Sequence, residues 1–96
     1  MKRKDYLLEI SYMNLNKNSH LLTFEWDKEN QTLEIHGDVN GLNLLKNKLE
    51  FLIKIEKQDH THLMSKEWGG DEITEKKQSP TNDIISSVKI FKWNNS

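Results

Sequence analysis

Alternation of apolar and polar residues sets the first three elements. From Asp5 to Met13, Leu8, Ile10 and Tyr12 fall on one face of an extended chain and Glu9 and Ser11 on the other, the two-residue period of a half-buried strand. After a turn over Asn14–Asn18, the segment His20–Asp27 repeats the pattern, with Leu22, Phe24 and Trp26 opposite Thr23 and Glu25. A polar turn, Asp27-Lys28-Glu29-Asn30, leads to a third strand over Thr32–Gly37, with Leu33 and Ile35 inward. The three read as an antiparallel meander.

At Asp38-Val39-Asn40-Gly41 the period changes. Leu42, Leu45, Leu49, Leu52, Ile53 and either Ile55 or Glu56 then follow helical spacing as far as about Lys57, with Asp38 or Asn40 as the cap and Lys46, Lys48, Glu50, Lys54 and Lys57 on the wet side. Leu44 and Phe51 widen the apolar surface and read as extra core. The two-residue period returns over Asp59–Ser65, where His60, His62 and Met64 face one way and Thr61, Leu63 and Ser65 the other. A Trp68-Gly69-Gly70 corner follows, and then a polar, Pro-containing connection, Glu75–Asp83, expected to be the most mobile segment. A closing strand over Ile84–Trp93 turns Val88 and Ile90 one way and Phe91 and Trp93 the other, which suits a central strand or one at an interface. The pattern as a whole predicts an α+β fold, a largely antiparallel sheet of about five strands with one long helix packed on one face, in the order βββαββ.

Composition narrows the class. A chain of 96 residues suits a single domain spanning 1–96, and its 34% hydrophobic and 30% charged content is that of a small, surface-rich domain. Three tryptophans and several alternating runs argue against disorder despite a mean hydropathy of −0.83. With no cysteine, neither a disulfide, a thiolate metal site nor a thiol nucleophile is available. The basic start Met1-Lys2-Arg3-Lys4 precedes an apolar run broken by Glu9, and no stretch reaches the ~20 apolar residues of a membrane span, so a cytoplasmic protein is expected. A net charge of −1 provides no field to attract nucleic acid. The charge is uneven, however: residues 59–75 hold Asp59, Glu67, Asp71, Glu72 and Glu75 against Lys66 alone, a local balance of −4. Such a run is either a solvated loop or an acidic face for a basic partner.

Catalytic and metal chemistry is poorly supported. His60 and His62 share a strand face, as paired imidazole ligands can, with His36 or His20 as a conceivable third, but neither has a sequence-local carboxylate to complete a site. No metal and no other cofactor is expected. A triad of Asp59, His62 and Ser65 fails because Asp59 and Ser65 face away from His62 on a regular strand. Gly69-Gly70 lacks the lysine and the glycine spacing of nucleotide-binding loops. The residues point to a non-catalytic binding protein, with a small regulatory or ligand/metal-binding domain using the His60/His62 face as the alternative.

The run His62-Leu63-Met64 followed by Glu67-Trp68-Gly69-Gly70-Asp71-Glu72 resembles the signature of the bacterial immunity protein 32 family. Ile35-His36-Gly37-Asp38 leading into Gly41-Leu42-Asn43-Leu44-Leu45 is similar to that family's strand-to-helix junction, and Val88-Lys89-Ile90-Phe91-Lys92-Trp93 to its closing strand. The resemblance implies an immunity protein of a polymorphic toxin system that binds a cognate toxin domain and neutralises it by occlusion. The candidate contact residues are Trp68, Gly69, Gly70, Asp71, Glu72, Glu75, His60 and His62. Trp68 is either the anchor or a core indole wedged between strand and turn, and one side chain can fill both roles. A homodimer through the Phe91/Trp93 sheet face is a further expectation.

Overall fold

A computed structural model describes residues 19–94, so the expected first strand over Asp5–Met13 lies outside the described residues. The remainder is α+β and antiparallel, as the periodicity predicts. Strands β1 (Leu22–Asp27) and β2 (Thr32–Gly37) form a hairpin, helix α1 (Val39–Lys54) follows, and then come β3 (Asp59–Met64), β4 (Asp83–Ile85) and β5 (Ser87–Lys92). The five strands divide into two sheets, β2-β1-β4 and β3-β5. The closing strand expected over Ile84–Trp93 is thus two strands. Its first half pairs with β1 (Phe24 opposite Ile85) and its second with β3 (Leu63 opposite Val88), and at the break the Ser86 carbonyl accepts the Ser65 N–H at 2.9 Å.

The core lies between the sheets and the helix. Leu22, Phe24, Leu63 and Ile73 are buried together, with Leu44, Leu45, Ile85, Val88 and Ile90 packed around them. Each fully buried aliphatic or aromatic side chain contributes roughly 1.5–3 kcal/mol. Asp38 caps α1 by accepting the Gly41 N–H at 2.8 Å, one of the two caps that the sequence offers. Gly41 then presses on the neighbouring chain: a Cβ there would lie 1.7 Å from the Leu21 carbonyl oxygen.

This contact fixes the rotation of the helix and shifts its apolar stripe. The face of Gly41, Leu44, Leu45 and Leu52 turns inward, whereas Leu42, Leu49 and Ile53, expected in the core, are exposed. Phe51, read as extra core, is 70% exposed. The helix also stops at Lys54 instead of Lys57, with the Lys92 ammonium donating to the carbonyls of Ile53 and Ile55 at its C-terminal end, where a cation suits the helix dipole. Leu33 and Ile35 of β2 are about half exposed instead of fully inward.

The connection Glu75–Asp83 departs most from expectation. Instead of a free polar loop, it is tied to Glu25 of β1, which is fully buried. The Glu25 carboxylate accepts the Gln78 N–H at 2.8 Å, the Ser79 N–H at 3.2 Å, the Asn82 side-chain amide at 3.1 Å and the Thr23 hydroxyl at 2.6 Å. Thr23 and Glu25 do face away from Phe24, as their alternation requires, but the loop covers them.

Candidate functional site

The corner after β3 is built almost entirely from backbone hydrogen bonds. Lys66–Trp68 forms a single 3-10 turn, in which the Ser65 carbonyl accepts the N–H groups of Trp68 and Gly70, each at 3.0 Å. The Gly69 N–H closes onto the Lys66 carbonyl at 3.0 Å, with Gly69 at φ +86°, a left-handed conformation that suits glycine. Gly70 is required for space, since a Cβ there would come within 2.6 Å of the Met64 carbonyl oxygen. The chain then folds back on β3, and the Met64 carbonyl accepts the N–H groups of Glu72 and Ile73, each at 3.2 Å. The two glycines therefore have separate duties, one conformational and one steric.

This turn holds the Trp68 side chain out of the core, at 60% exposure. Of the alternatives for Trp68, the wedged core indole is the one its exposure overturns. Asp71 and Glu75 are exposed beside it. Glu72 belongs to the scaffold: its carboxylate accepts the Met64 N–H at 2.9 Å and its carbonyl oxygen lies 2.7 Å from His20 Nε2. Next to the corner, a cleft of about 700 Å³ has Leu44 and Ile73 among its apolar lining, with Asp71, Glu75, Lys66, His20 and Thr74 around them. Thr74 fixes the far wall through backbone and hydroxyl bonds to Leu22.

His60 and His62 do not join this corner. They project from β3 on the opposite side from Leu63, and their Nε2 atoms approach to 3.0 Å. The His60 ring stacks on Phe91 at 5.2 Å between centroids, and Phe91 on Trp93 at 6.5 Å, giving an aromatic row on the outer face of the β3-β5 sheet. The sequence-derived contact set thus splits into an acidic corner around Trp68 and a histidine-aromatic face.

A polar cluster on the β1-β2 sheet escaped sequence reasoning. Glu25 and Glu34 are directly opposed on β1 and β2, Asn82 donates to both, and His36 Nε2 lies 2.8 Å from Glu34 Oε1. Burial works to raise the Glu25 pKa, but the hydrogen bonds from Thr23, Gln78, Asn82 and Ser79 outweigh it and hold the carboxyl at about 2. Glu25, Glu34 and His36 bring one ligand atom each within 4.8 Å of one another. Those atoms are already engaged by the loop and by each other. The only advance signal was two acidic residues at matching positions of a predicted hairpin.

Taken together, the fold and corner define a small α+β domain that presents an exposed indole on a hydrogen-bonded turn, next to a cleft whose charged lining is Asp71, Glu75 and Lys66. The family model for immunity protein 32 matches residues 32–87, more than half of the chain, and this protein belongs to that family. The match includes the whole Trp68 corner and stops before Val88–Trp93, so the closing-strand similarity lies beyond it. Membership makes this an immunity protein by family, and in general implies a toxin as partner and a role without catalysis. Comparison with curated proteins and with solved structures gave no match. Among the described residues no helix is long and apolar enough to cross a membrane.

Proposed function

We propose that this protein binds a cognate bacterial toxin domain and holds it inactive by occlusion, with Trp68 as the anchor and Asp71 and Glu75 as the charged rim. The observation that carries this reading is the 60% exposure of an indole on a turn whose every backbone bond is local. An indole has few rotatable bonds and stands here on a backbone already held by hydrogen bonds, so little conformational freedom is lost on binding, and interface energy concentrates on such anchors. Gly69 and Gly70 shape the turn, and Glu72 braces it from inside. The rim favours a basic partner surface, whose approach it accelerates more than it tightens the final complex. The apolar lining from Leu44 and Ile73 suits the stem of a lysine or arginine side chain whose cationic head meets Asp71 and Glu75.

Neutralisation is tested by co-expression with the toxin encoded by the adjacent gene. Growth should be rescued by the wild-type chain and lost again with Trp68→Ala, provided that the variant is folded by circular dichroism. Failure of the wild-type chain to rescue, with both proteins expressed, would refute the pairing.

A further inference from the structure

We propose that His60 and His62 form a bidentate site for a first-row divalent ion that favours imidazole, of the Zn²⁺ or Ni²⁺ class. They are alternate residues of β3, so a regular strand places both rings on one face, and their Nε2 atoms stand 3.0 Å apart. Two nitrogens bound at about 2.0–2.1 Å lie roughly 2.9 Å apart at a right angle and roughly 3.4 Å apart at a tetrahedral one. The observed spacing falls inside that range. The rings meet edge to face at 72° with their centroids 4.8 Å apart, and ligation would require them to turn both Nε2 lone pairs toward one ion.

The surroundings position the pair. Phe91 stacks on the His60 ring at 5.2 Å and restrains its rotamer. Asp59 Oδ1 accepts the His60 backbone N–H at 2.8 Å and lies 3.8 Å from His60 Nδ1. At 3.8 Å this carboxylate is beyond hydrogen-bond distance of Nδ1, and a small rotation would bring it into the outer-shell role common to metal-binding histidines; the two Nε2 atoms share a hydrogen bond, so a bound ion would replace the proton between them. Two features limit affinity. Lys89 stands directly opposite His62 on β5, and ligation through Nε2 places the His62 proton on Nδ1, which is buried without a partner among the described residues. With only two protein donors, solvent fills the other coordination positions and binding is expected in the micromolar range.

The sequence offered the His60/His62 face only as the alternative reading, because no third local ligand completed a site. What the fold adds is the convergence of the two donor atoms. The Glu25, Glu34 and His36 cluster is the competing location, but its carboxylates already accept bonds from Thr23, Gln78, Ser79 and Asn82, which an ion would have to displace. Metal binding at His60 and His62 requires nothing of the toxin partner, so the two proposals stand or fall separately.

Calorimetric titration of the full chain with ZnCl₂ and with NiCl₂ tests the site. One equivalent should bind, with binding lost in His60→Ala and in His62→Ala, weakened by about tenfold in Asp59→Asn and unchanged in His36→Gln. Ring-nitrogen NMR shifts of the wild-type protein provide a readout that needs no substitution, and should move for His60 and His62 on adding zinc. Absence of binding to the wild type, retention in both alanine variants, loss in His36→Gln, or shifts confined to His20 and His36 would each overturn the proposal.

Discussion

Glu25 and Glu34 face each other across the β1-β2 hairpin, and a single Asn82 amide bridges them, at 3.1 Å from one carboxylate and 3.0 Å from the other. Like charges directly opposed on paired strands repel. Here the repulsion is offset by donors that the Gln78–Asn82 loop brings to the sheet, so the loop and the hairpin stabilise each other.

Removing that bridge should therefore be costly. Asn82→Ala deletes bonds to two charged acceptors and should lower stability by about 2–4 kcal/mol, as hydrogen bonds to charged groups are worth roughly 1.5–3 kcal/mol each. Glu25→Gln should also destabilise, because its amide nitrogen would face the N–H donors of Gln78 or Ser79. Urea denaturation followed by circular dichroism measures both, and wild-type midpoints would show that the loop contributes nothing.

The same carboxylate makes stability depend on pH. Glu25 titrates at about 2 when folded, against an ordinary 4.5, so the folded state favours its ionised form. Its contribution is fully present above about pH 4.5 and is lost as pH falls toward 2. Melting temperature should drop over that interval, and the part of the drop due to this residue should vanish in Glu25→Gln.

Gly41 sets the seat of the helix. Gly41→Ala would place a methyl group 1.7 Å from the Leu21 oxygen, a backbone atom that moves only with β1. A loss of about 1–3 kcal/mol or more is expected, despite the better intrinsic helix propensity of alanine. A stabilised variant would mean that the helix is not held against Leu21.

The two corner glycines should respond differently. Gly69 needs its positive φ and has open space where a Cβ would lie, so Gly69→Asn should be tolerated within about 1 kcal/mol, since asparagine visits the left-handed region. Gly70→Ala meets the Met64 carbonyl and should disturb the turn. Amide chemical shifts of Trp68 to Ile73 would show whether the corner survives each change.

The sequence made local periodicity legible and long-range docking much less so. The β1-β2 hairpin, the Asp38 cap, the inward Leu63 and the Trp-Gly-Gly turn follow from alternation, capping chemistry and glycine, all properties of a few adjacent residues. The helix stripe came out rotated because one close contact, Gly41 on the Leu21 carbonyl, overrides the average of many apolar positions. The Ile84–Trp93 run contains a change of sheet at Ser86, where the adjacent polar pair Ser86-Ser87 interrupts the apolar pattern but does not by itself tell a break from a strand continuing in one sheet. Gln78–Asn82 looked like a solvated linker because nothing local reveals that its donors meet a carboxylate more than fifty residues earlier. In the candidate site, Asp71 and Glu75 were readable as surface groups, whereas the exposure of Trp68, the inward role of Glu72 and the close approach of the His60 and His62 ring nitrogens needed side-chain geometry.

The role of Trp68 as anchor is tested most directly by surface-based kinetics with the adjacent gene's toxin. Trp68→Ala should fold normally and dissociate at least tenfold faster, since anchors cost about 2 kcal/mol or more when truncated. Asp71→Lys with Glu75→Lys should leave dissociation nearly unchanged while making association slower and less sensitive to salt. If a folded Trp68→Ala variant binds the toxin with wild-type association and dissociation rates, the corner is not the binding face.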